Sequence, residues 1–497
     1  MSWIVGDGFD YYVGTGDLSK SVWDTVNNQF SNFQSPRFSP GQALFTTNGT
    51  TLNKNISGNP NTLYVAFAFY QGGALSGSSA YVAFTFSDGG TAQFAICVES
   101  GGNITLKRGS ESGTVIATYA AAFAQDVWTH FQCRVVIDPA AGTFTVRKNG
   151  SASDSFSATG LNTRVSGNSQ ATAMYVYGNG GAGNPYRLDD VLVFSGAGAA
   201  PNTWVGDCRA ICLPAIGDTA QKQFAPFGPS SATFGNGGSN GGFGIAANTM
   251  YFDGPYTPSR GGTVSKLSMI GNNTQTGHTK LAIYLNDGAA GAPGTLLAQT
   301  AALTNPSTGT IDFTFASGVP VSAAKSYYFA ILADAAWTTQ LGNAGSYHQS
   351  VAQSYATGFP STAPVLGTGG AFQPWQQATM SGNAFQVSEA IADGDTTYVF
   401  DSTVNDMDLY TIDQLPTTGI QSIIGVVSKL YWKKSDAGLR NGQLQVKSGA
   451  TQVTGPDTIM GSTYTYTYRV DTTDPATAAA WTVAGVNALQ IGQKVTS

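Results

Sequence analysis

Apolar and polar residues alternate with a period of two along much of this chain. From Trp128 to Ile137, the residues Thr129, Phe131, Cys133, Val135 and Ile137 share one face, and His130, Gln132 and Arg134 the other. Successive side chains of a strand point to opposite faces, so this run predicts a half-buried strand. The turn Asp138-Pro-Ala-Ala-Gly142 follows, and then Phe144 and Val146 alternate with Thr143, Thr145 and Arg147. Together they predict a hairpin with a short Pro/Gly loop. Leu63 to Tyr70, Tyr81 to Phe86 and Gln93 to Val98 repeat the theme, with shorter runs at Asn103 to Lys107 and Thr114 to Tyr119. Many short strands separated by Gly, Ser, Asn and Asp turns predict a β-sandwich.

The same pattern continues further along. Leu281, Ile283 and Leu285 alternate with Ala282 and Tyr284, Asp287 to Gly294 reads as a long turn, and Ser326 to Ala333 as a nearly continuous apolar strand. The stretch Gly228 to Gly244 is mostly Gly, Ser and Asn and predicts a flexible crossing. One short helix is expected near Thr482 to Leu489, before a last strand from Ile491 to Val495.

Composition strengthens the all-β reading. The chain of 497 residues has only three glutamates, Glu99, Glu111 and Glu389, among 26 aspartates and 62 glycines. Helices use glutamate and lysine on their wet faces, so a chain that nearly avoids glutamate builds few of them. Hydrophobic residues reach 42%, enough for sizeable cores, and the length suggests roughly two to four domains. Charged residues are only 10%, against about 25% in an ordinary soluble domain, so solubility rests on hydroxyls, amides and backbone.

The net charge is −6, and basic residues gather only in pairs such as Lys107 with Arg108, Arg147 with Lys148 and Lys433 with Lys434. Nucleic-acid binding needs clustered cations, so no nucleic-acid partner is expected. No stretch approaches the ~20 apolar residues of a membrane span, and the start, Met1-Ser-Trp-Ile-Val, has no basic or apolar signal core. The expectation is a protein assembled in a cytoplasm and released by lysis, without membrane insertion. Cys97, Cys133, Cys208 and Cys212 match no zinc spacing and are expected to be reduced thiols, the last two in a strand.

A resemblance adds to this reading. Gly8-Phe-Asp-Tyr-Tyr12, Trp128 to Val135, Arg147-Lys-Asn-Gly150 and Arg187 to Phe194 resemble a concanavalin A-like (laminin G-like) jelly roll. The segment Ser195 to Arg209 resembles the exit from such a domain in bacteriophage structural and tail proteins. Lys280 to Leu285, Gly291 to Gln299 and Tyr327 to Ile331 are similar in order to small β-sandwiches of carbohydrate-binding type. The resemblance implies a jelly roll over 1–204, a discontinuous β-sandwich over 205–244 and 380–497, and an inserted carbohydrate-binding-like β-sandwich over 245–379.

Chemistry is sparse. Glycosidases need two carboxylates about 5 Å or about 6.5–9.5 Å apart. The glucanase members of the resembled superfamily carry a Glu-x-Asp-x-x-Glu strand, which this chain lacks. Asp189 and Asp190 are adjacent and expected on opposite strand faces, and Asp393 and Asp395 flank a turn glycine. His130, His278 and His348 have no nucleophile elbow nearby and are expected to be solvated. Calcium could be held by Asp189, Asp190 and loop asparagines, but Asp190 bonding turn backbone is preferred, so no metal or cofactor is expected. Tyr464, Tyr466 and Tyr468 share a strand face and are expected to pack. Trp337, Tyr347 and Trp375 sit in loop-like stretches of the insert and are the candidates for glycan contact.

The resulting expectation is a non-enzymatic component of a bacteriophage virion, a tail or fibre-like appendage. Its expected partners are other virion proteins, further copies of itself and a host surface glycan. A glycan-binding adhesin or head-decorating protein is the alternative, and a polysaccharide depolymerase is third.

Overall fold

The computed structural model describes residues 3–9, 12, 18, 22–27, 32–38, 43–45, 50–75, 80–178, 186–198, 201–342, 347–366, 374–389 and 392–497; the side chains of 32–34, 45, 50, 239–240 and 347–348 lie outside that description. The chain is all-β, and its described helices are only Asn383–Gln386, Val483–Asn487 and a short 3-10 turn, Ala289–Gly291. None is long and apolar enough to cross a membrane. It divides into two compact units, the first Met1–Cys212 with Ile420–Val427 and Val470–Thr482, the second Leu213–Gly419 with Ser428–Arg469 and Val483–Ser497.

The first unit is a two-sheet jelly-roll sandwich. Its strands are β1 (Trp3–Asp7), β2 (Thr25–Asn27), β3 (Asn32–Gln34), β4 (Ala43–Phe45), β5 (Thr50–Asn55), β6 (Thr62–Gln71), β7 (Ala80–Asp88) and β8 (Thr91–Glu99). They continue as β9 (Ile104–Arg108), β10 (Thr114–Tyr119), β11 (Thr129–Val136), β12 (Gly142–Lys148), β13 (Phe156–Leu161), β14 (Ala173–Gly178) and β15 (Tyr186–Ser195). One sheet runs β13-β12-β11-β6-β15-β4-β3, with β1 also on β15; the other runs β10-β9-β8-β7-β14-β5-β2. The expected hairpin is β11–β12, with Cys133 opposite Val146 and Val135 opposite Phe144. Aromatic contacts between the sheets fill the interior: Phe67 meets Phe84 at 4.8 Å, Tyr81 meets Tyr186 at 5.0 Å, and Tyr119 meets Phe156 at 5.7 Å.

A second small core covers the outer side of the eight-stranded sheet. Tyr64, Ala66, Leu192 and Phe194 pack under Trp3, Trp204, Val205 and Cys208. The exit segment therefore lies on the sheet, and Cys208 and Cys212 stand in irregular backbone where a strand was expected.

In the second unit, the strands from Ser231–Asn236 to Gln376–Ser381 pair among themselves into two six-stranded sheets. Phe234 against Phe329 and Phe243 against Tyr251 join them across a shared core. The glycine-rich stretch expected to be a flexible crossing instead forms Ser231–Asn236 and Gly238–Ile245, each hydrogen-bonded in the sheet. Glycine is permitted there because backbone pairing needs no side chain, and Gly235 (φ +122°) has Phe329 and Gln376 where a Cβ would stand. Strands on either side of this span, Ala215–Lys222, Met407–Ile412, Asn441–Ser448 and Gln490–Val495, form a third sheet. Buried Asp408 holds its edge, accepting from Gln223 N, Phe224 N, Asn383 Nδ2 and Tyr410 Oη at 2.5–2.9 Å.

Candidate functional site: an open sheet face

The register of the seven-stranded sheet sorts its side chains. One rung across it reads Val26, Leu52, Val176, Phe84, Ile96, Leu106, Ala117 and faces the interior. The rungs on either side point to the other side of the sheet, where the residues of β7, β8 and β9 are buried and the β2–β5–β14 end is open. One reads Thr25, Asn53, Tyr175, Thr85, Ala95, Lys107, and the other Asn27, Thr51, Tyr177, Ala83, Cys97, Thr105. Side-chain alternation thus makes one sheet apolar on its inner side and small, polar and aromatic on its outer side.

At the β2 edge this outer face opens into a cleft of about 470 Å³, lined among the described residues by Thr25, Asn27, Thr51, Asn53, Asn55 and Tyr175. The side chains of Asn27, Thr51, Asn53 and Asn55 make no hydrogen bond to any described residue. Tyr175 supplies a half-buried ring, stacked on Tyr177 at 5.9 Å. The Tyr177 ring lies on a floor of Ala80, Ala83, Ala95 and Cys97. Burial, with the charge of Glu111, pushes its phenol up.

The opposite end of the face is charged. Lys107 Nζ lies 3.2 Å from Glu99 Oε1 and donates to the Glu111 carbonyl at 3.0 Å, while the Thr105 hydroxyl donates to the same Glu99 oxygen. Two of the chain's three glutamates therefore come to this face. Burial pushes the Cys97 thiol beside them up to about 12, which keeps it protonated.

Of the three residues expected to contact glycan, Trp337 and Trp375 belong to one core, and the side chain of Tyr347 lies outside the described residues. Trp337 opens a strand, Trp337–Gly342, and is 3% exposed in the core between the two six-stranded sheets. It offers no ring face to a ligand; the apolar core claimed it, although its buried indole N–H finds no acceptor among the described residues. Trp375 is half-buried against the same core, just before Gln376–Ser381. Tyr347 opens the strand Tyr347–Ala352 opposite Gly254, and its side chain lies outside the described residues. Two of the tyrosine row pack: Tyr464 stacks on Tyr431 at 4.7 Å and Tyr466 lies tilted on it at 4.5 Å, under Lys433 and Lys429, whereas Tyr468, expected to pack with them, is exposed.

Sequence alternation placed His130 in solvent, but the exit segment buries it completely. Its Nε2 lies 3.6 Å from Cys208 Sγ and its Nδ1 3.7 Å from Asp207 Oδ1. The order Cys, His, Asp is that of a nucleophilic triad, but the electrostatics oppose that use. Burial pushes the imidazole down to about 4 and the thiol up to about 12, so the pair rests neutral. Arg37 completes an internal pin, meeting Asp207 at 2.5 Å and Asp190 at 3.6 Å, while its backbone N–H donates to Asp189. A bulge between Asp189 and Leu192, with Asp190 at φ +51°, lets both buried aspartates reach Arg37. Their expected placement on opposite faces fails for that reason, and Asp190 accepts the Ala210 N–H 20 residues further along, a long-range backbone bond where a local turn bond was expected. His278 is pinned by Asp334 at 2.7 Å.

A third cluster joins Glu389, Asp393, Thr397 and Arg260. The Thr397 hydroxyl bonds both carboxylates, and Arg260 lies 3.2 Å from Glu389 and 3.7 Å from Asp393. Burial pushes Glu389 up to about 7. Among the described residues, no three His, Cys, Asp or Glu side chains converge as metal ligands.

The open sheet face was missed by sequence reasoning. Its signal was present as Thr51-x-Asn53-x-Asn55 and Tyr175-x-Tyr177, polar and aromatic residues at a period of two beside apolar Leu52 and Val176.

No family model matches the chain, and no curated protein does. Among solved structures it is similar to domain 4 of AbnA, a GH43 extracellular arabinanase from Geobacillus stearothermophilus in complex with arabinotriose (18% identity, 38% of this chain and 93% of that one, TM-score 0.25). It is also similar to the carbohydrate-binding module CBM66 from Bacillus subtilis (12%, 34% and 94%, TM-score 0.23). A third is the carbohydrate esterase vb_24B_21 from the Shiga toxin-encoding bacteriophage phi24B (18%, 38% and 98%, TM-score 0.27). Likenesses at this level say nothing about what the chain binds or does.

Proposed function

We propose that this chain is a non-enzymatic structural protein that binds glycan through the outer face of β2, β5 and β14. The observation that carries the reading is the set of three amides and one hydroxyl, those of Asn27, Asn53, Asn55 and Thr51, that make no hydrogen bond to a described residue and stand beside the Tyr175 ring. A sugar presents hydroxyls that both donate and accept, and an apolar face that stacks on an aromatic ring; primary amides also do both. Glu99 is engaged by Lys107 and Thr105, which suits an anchor better than a proton donor. The proposed setting is a bacteriophage virion, in a tail or fibre-like appendage, on the resemblance carried by Ser195 to Arg209. There the chain would join other virion proteins and further copies of itself, and multivalency would raise weak single-site affinity.

The test is a glycan array with the full chain, Tyr175→Ala and Asn53→Ala. Binding by the parent chain that both variants lose supports the reading. Cleavage of a capsular polysaccharide by the purified chain overturns the non-enzymatic part. Binding that neither variant disturbs overturns the site.

A further inference from the structure

We infer that the β2–β5–β14 cleft selects neutral glycans and rejects sugars bearing carboxylate, sulfate or phosphate. This rests on reading that face as a glycan site. Among the described residues, every side chain lining the cleft is uncharged. Among the described residues, the charged side chains beside the cleft, Asp24 just before β2 and Lys54 on β5, are both already engaged. Lys54 Nζ lies 2.8 Å from Asp24 Oδ1 and donates to the Val22 carbonyl at 2.8 Å, while Asp24 Oδ2 accepts the Asn55 N–H at 2.7 Å. The strand register also turns Lys54 to the side opposite Asn53 and Asn55. The cation that this face does carry among the described residues, Lys107, is held by Glu99 and the Glu111 carbonyl three strands beyond Tyr175.

An anionic sugar entering this cleft would lose water from its charge and meet, among the described residues, no unengaged cation to replace it. That loss is large for an ionised group and small for a hydroxyl that finds an amide. Neighbouring strands are about 4.8 Å apart and alternate residues along a strand about 7 Å apart, so the amides and hydroxyls form a grid that reaches several hydroxyls at once. Uncharged contacts also make affinity insensitive to salt.

The experiment is calorimetry of the full chain with neutral gluco-, galacto- and manno-oligosaccharides. Uronic-acid-containing, sialylated and sulfated oligosaccharides of the same length are measured beside them, all at low and high salt. Neutral ligands are expected to bind, with the charged ones at least about tenfold weaker, the scale of one lost hydrogen bond. Salt should leave neutral binding unchanged. Asn53→Ala and the exposed-site variant Asn55→Ala should each lower it, and Asn53→Lys should raise binding of the acidic sugars. Preference for acidic sugars that Asn53→Ala abolishes overturns neutral selection while keeping the site. Binding that ignores all three variants, or no binding to any glycan, overturns the site and this inference with it.

Discussion

Tyr175 stands directly opposite Asn53 across the β5–β14 pair, on the side of the sheet facing away from Phe84 and Ile96. An aromatic ring and an amide that bonds no described residue are thereby set one strand spacing apart. Tyr175→Ala should lower glycan affinity by about tenfold while moving the melting temperature little, because the ring is only partly buried. Tyr175→Phe should keep most of the affinity if stacking dominates. Titration calorimetry with a paired melting curve separates these outcomes.

His130 makes the first unit acid-sensitive. Its folded pKa, lowered by burial to about 4, lies below the ordinary 6.5, so the unfolded chain binds the proton first. Stability from this group is complete above pH 6.5 and is lost as pH falls toward 4, by up to about 3 kcal/mol. His130→Gln should flatten that part of the profile. Denaturant titrations at pH 7 and pH 4.5 measure it.

Glu389 works in the opposite direction in the second unit. Its folded pKa, raised by burial to about 7, lies above the ordinary 4.5, so the folded chain holds the proton longer. The contribution is complete below pH 4.5 and is lost as pH rises through 7, by up to about 3 kcal/mol. Glu389→Gln, which keeps the shape without the charge, should remove this dependence and raise stability at pH 8. A profile in which Glu389→Gln tracks the parent chain at every pH refutes the assignment.

Asp408 is fully buried and receives four hydrogen bonds. Asp408→Ala would leave two backbone N–H groups, an amide and a phenol without their acceptor. A loss of about 3–5 kcal/mol is expected. Asp408→Asn should cost less but still destabilise, since it replaces one accepting oxygen with a donor. Hydrogen exchange at Gln223 and Phe224 would report the damage locally.

Trp337→Ala should act on stability and not on recognition. Removing a core tryptophan leaves a cavity and costs about 3–5 kcal/mol. Glycan affinity, measured at a temperature where the variant is folded, should equal that of the parent chain. A selective loss of binding would return Trp337 to the site.

Strand identity was legible wherever alternation was clean. Thr129–Val136 with Gly142–Lys148, His278–Leu285 and Gln490–Val495 all form strands where the pattern puts them, and Val483–Asn487 forms the expected short helix. The pattern failed where backbone conformation or distant packing intervened. A bulge reversed Asp190, glycine-rich strands paired despite their composition, and a segment from beyond β15 buried His130.

Which residues point the same way on a strand is a local matter, decided by the two-residue repeat of the extended backbone, and the order of amino acids contains it in full. The all-β class and the alternation of Thr51, Asn53 and Asn55 with Leu52 follow from that repeat alone. Which strands become neighbours depends on hydrogen-bond pairing between distant stretches and on the packing of two whole sheets. Only the tertiary structure, therefore, set Tyr175 beside Asn53, sank Trp337 into a core and closed the exit segment over His130.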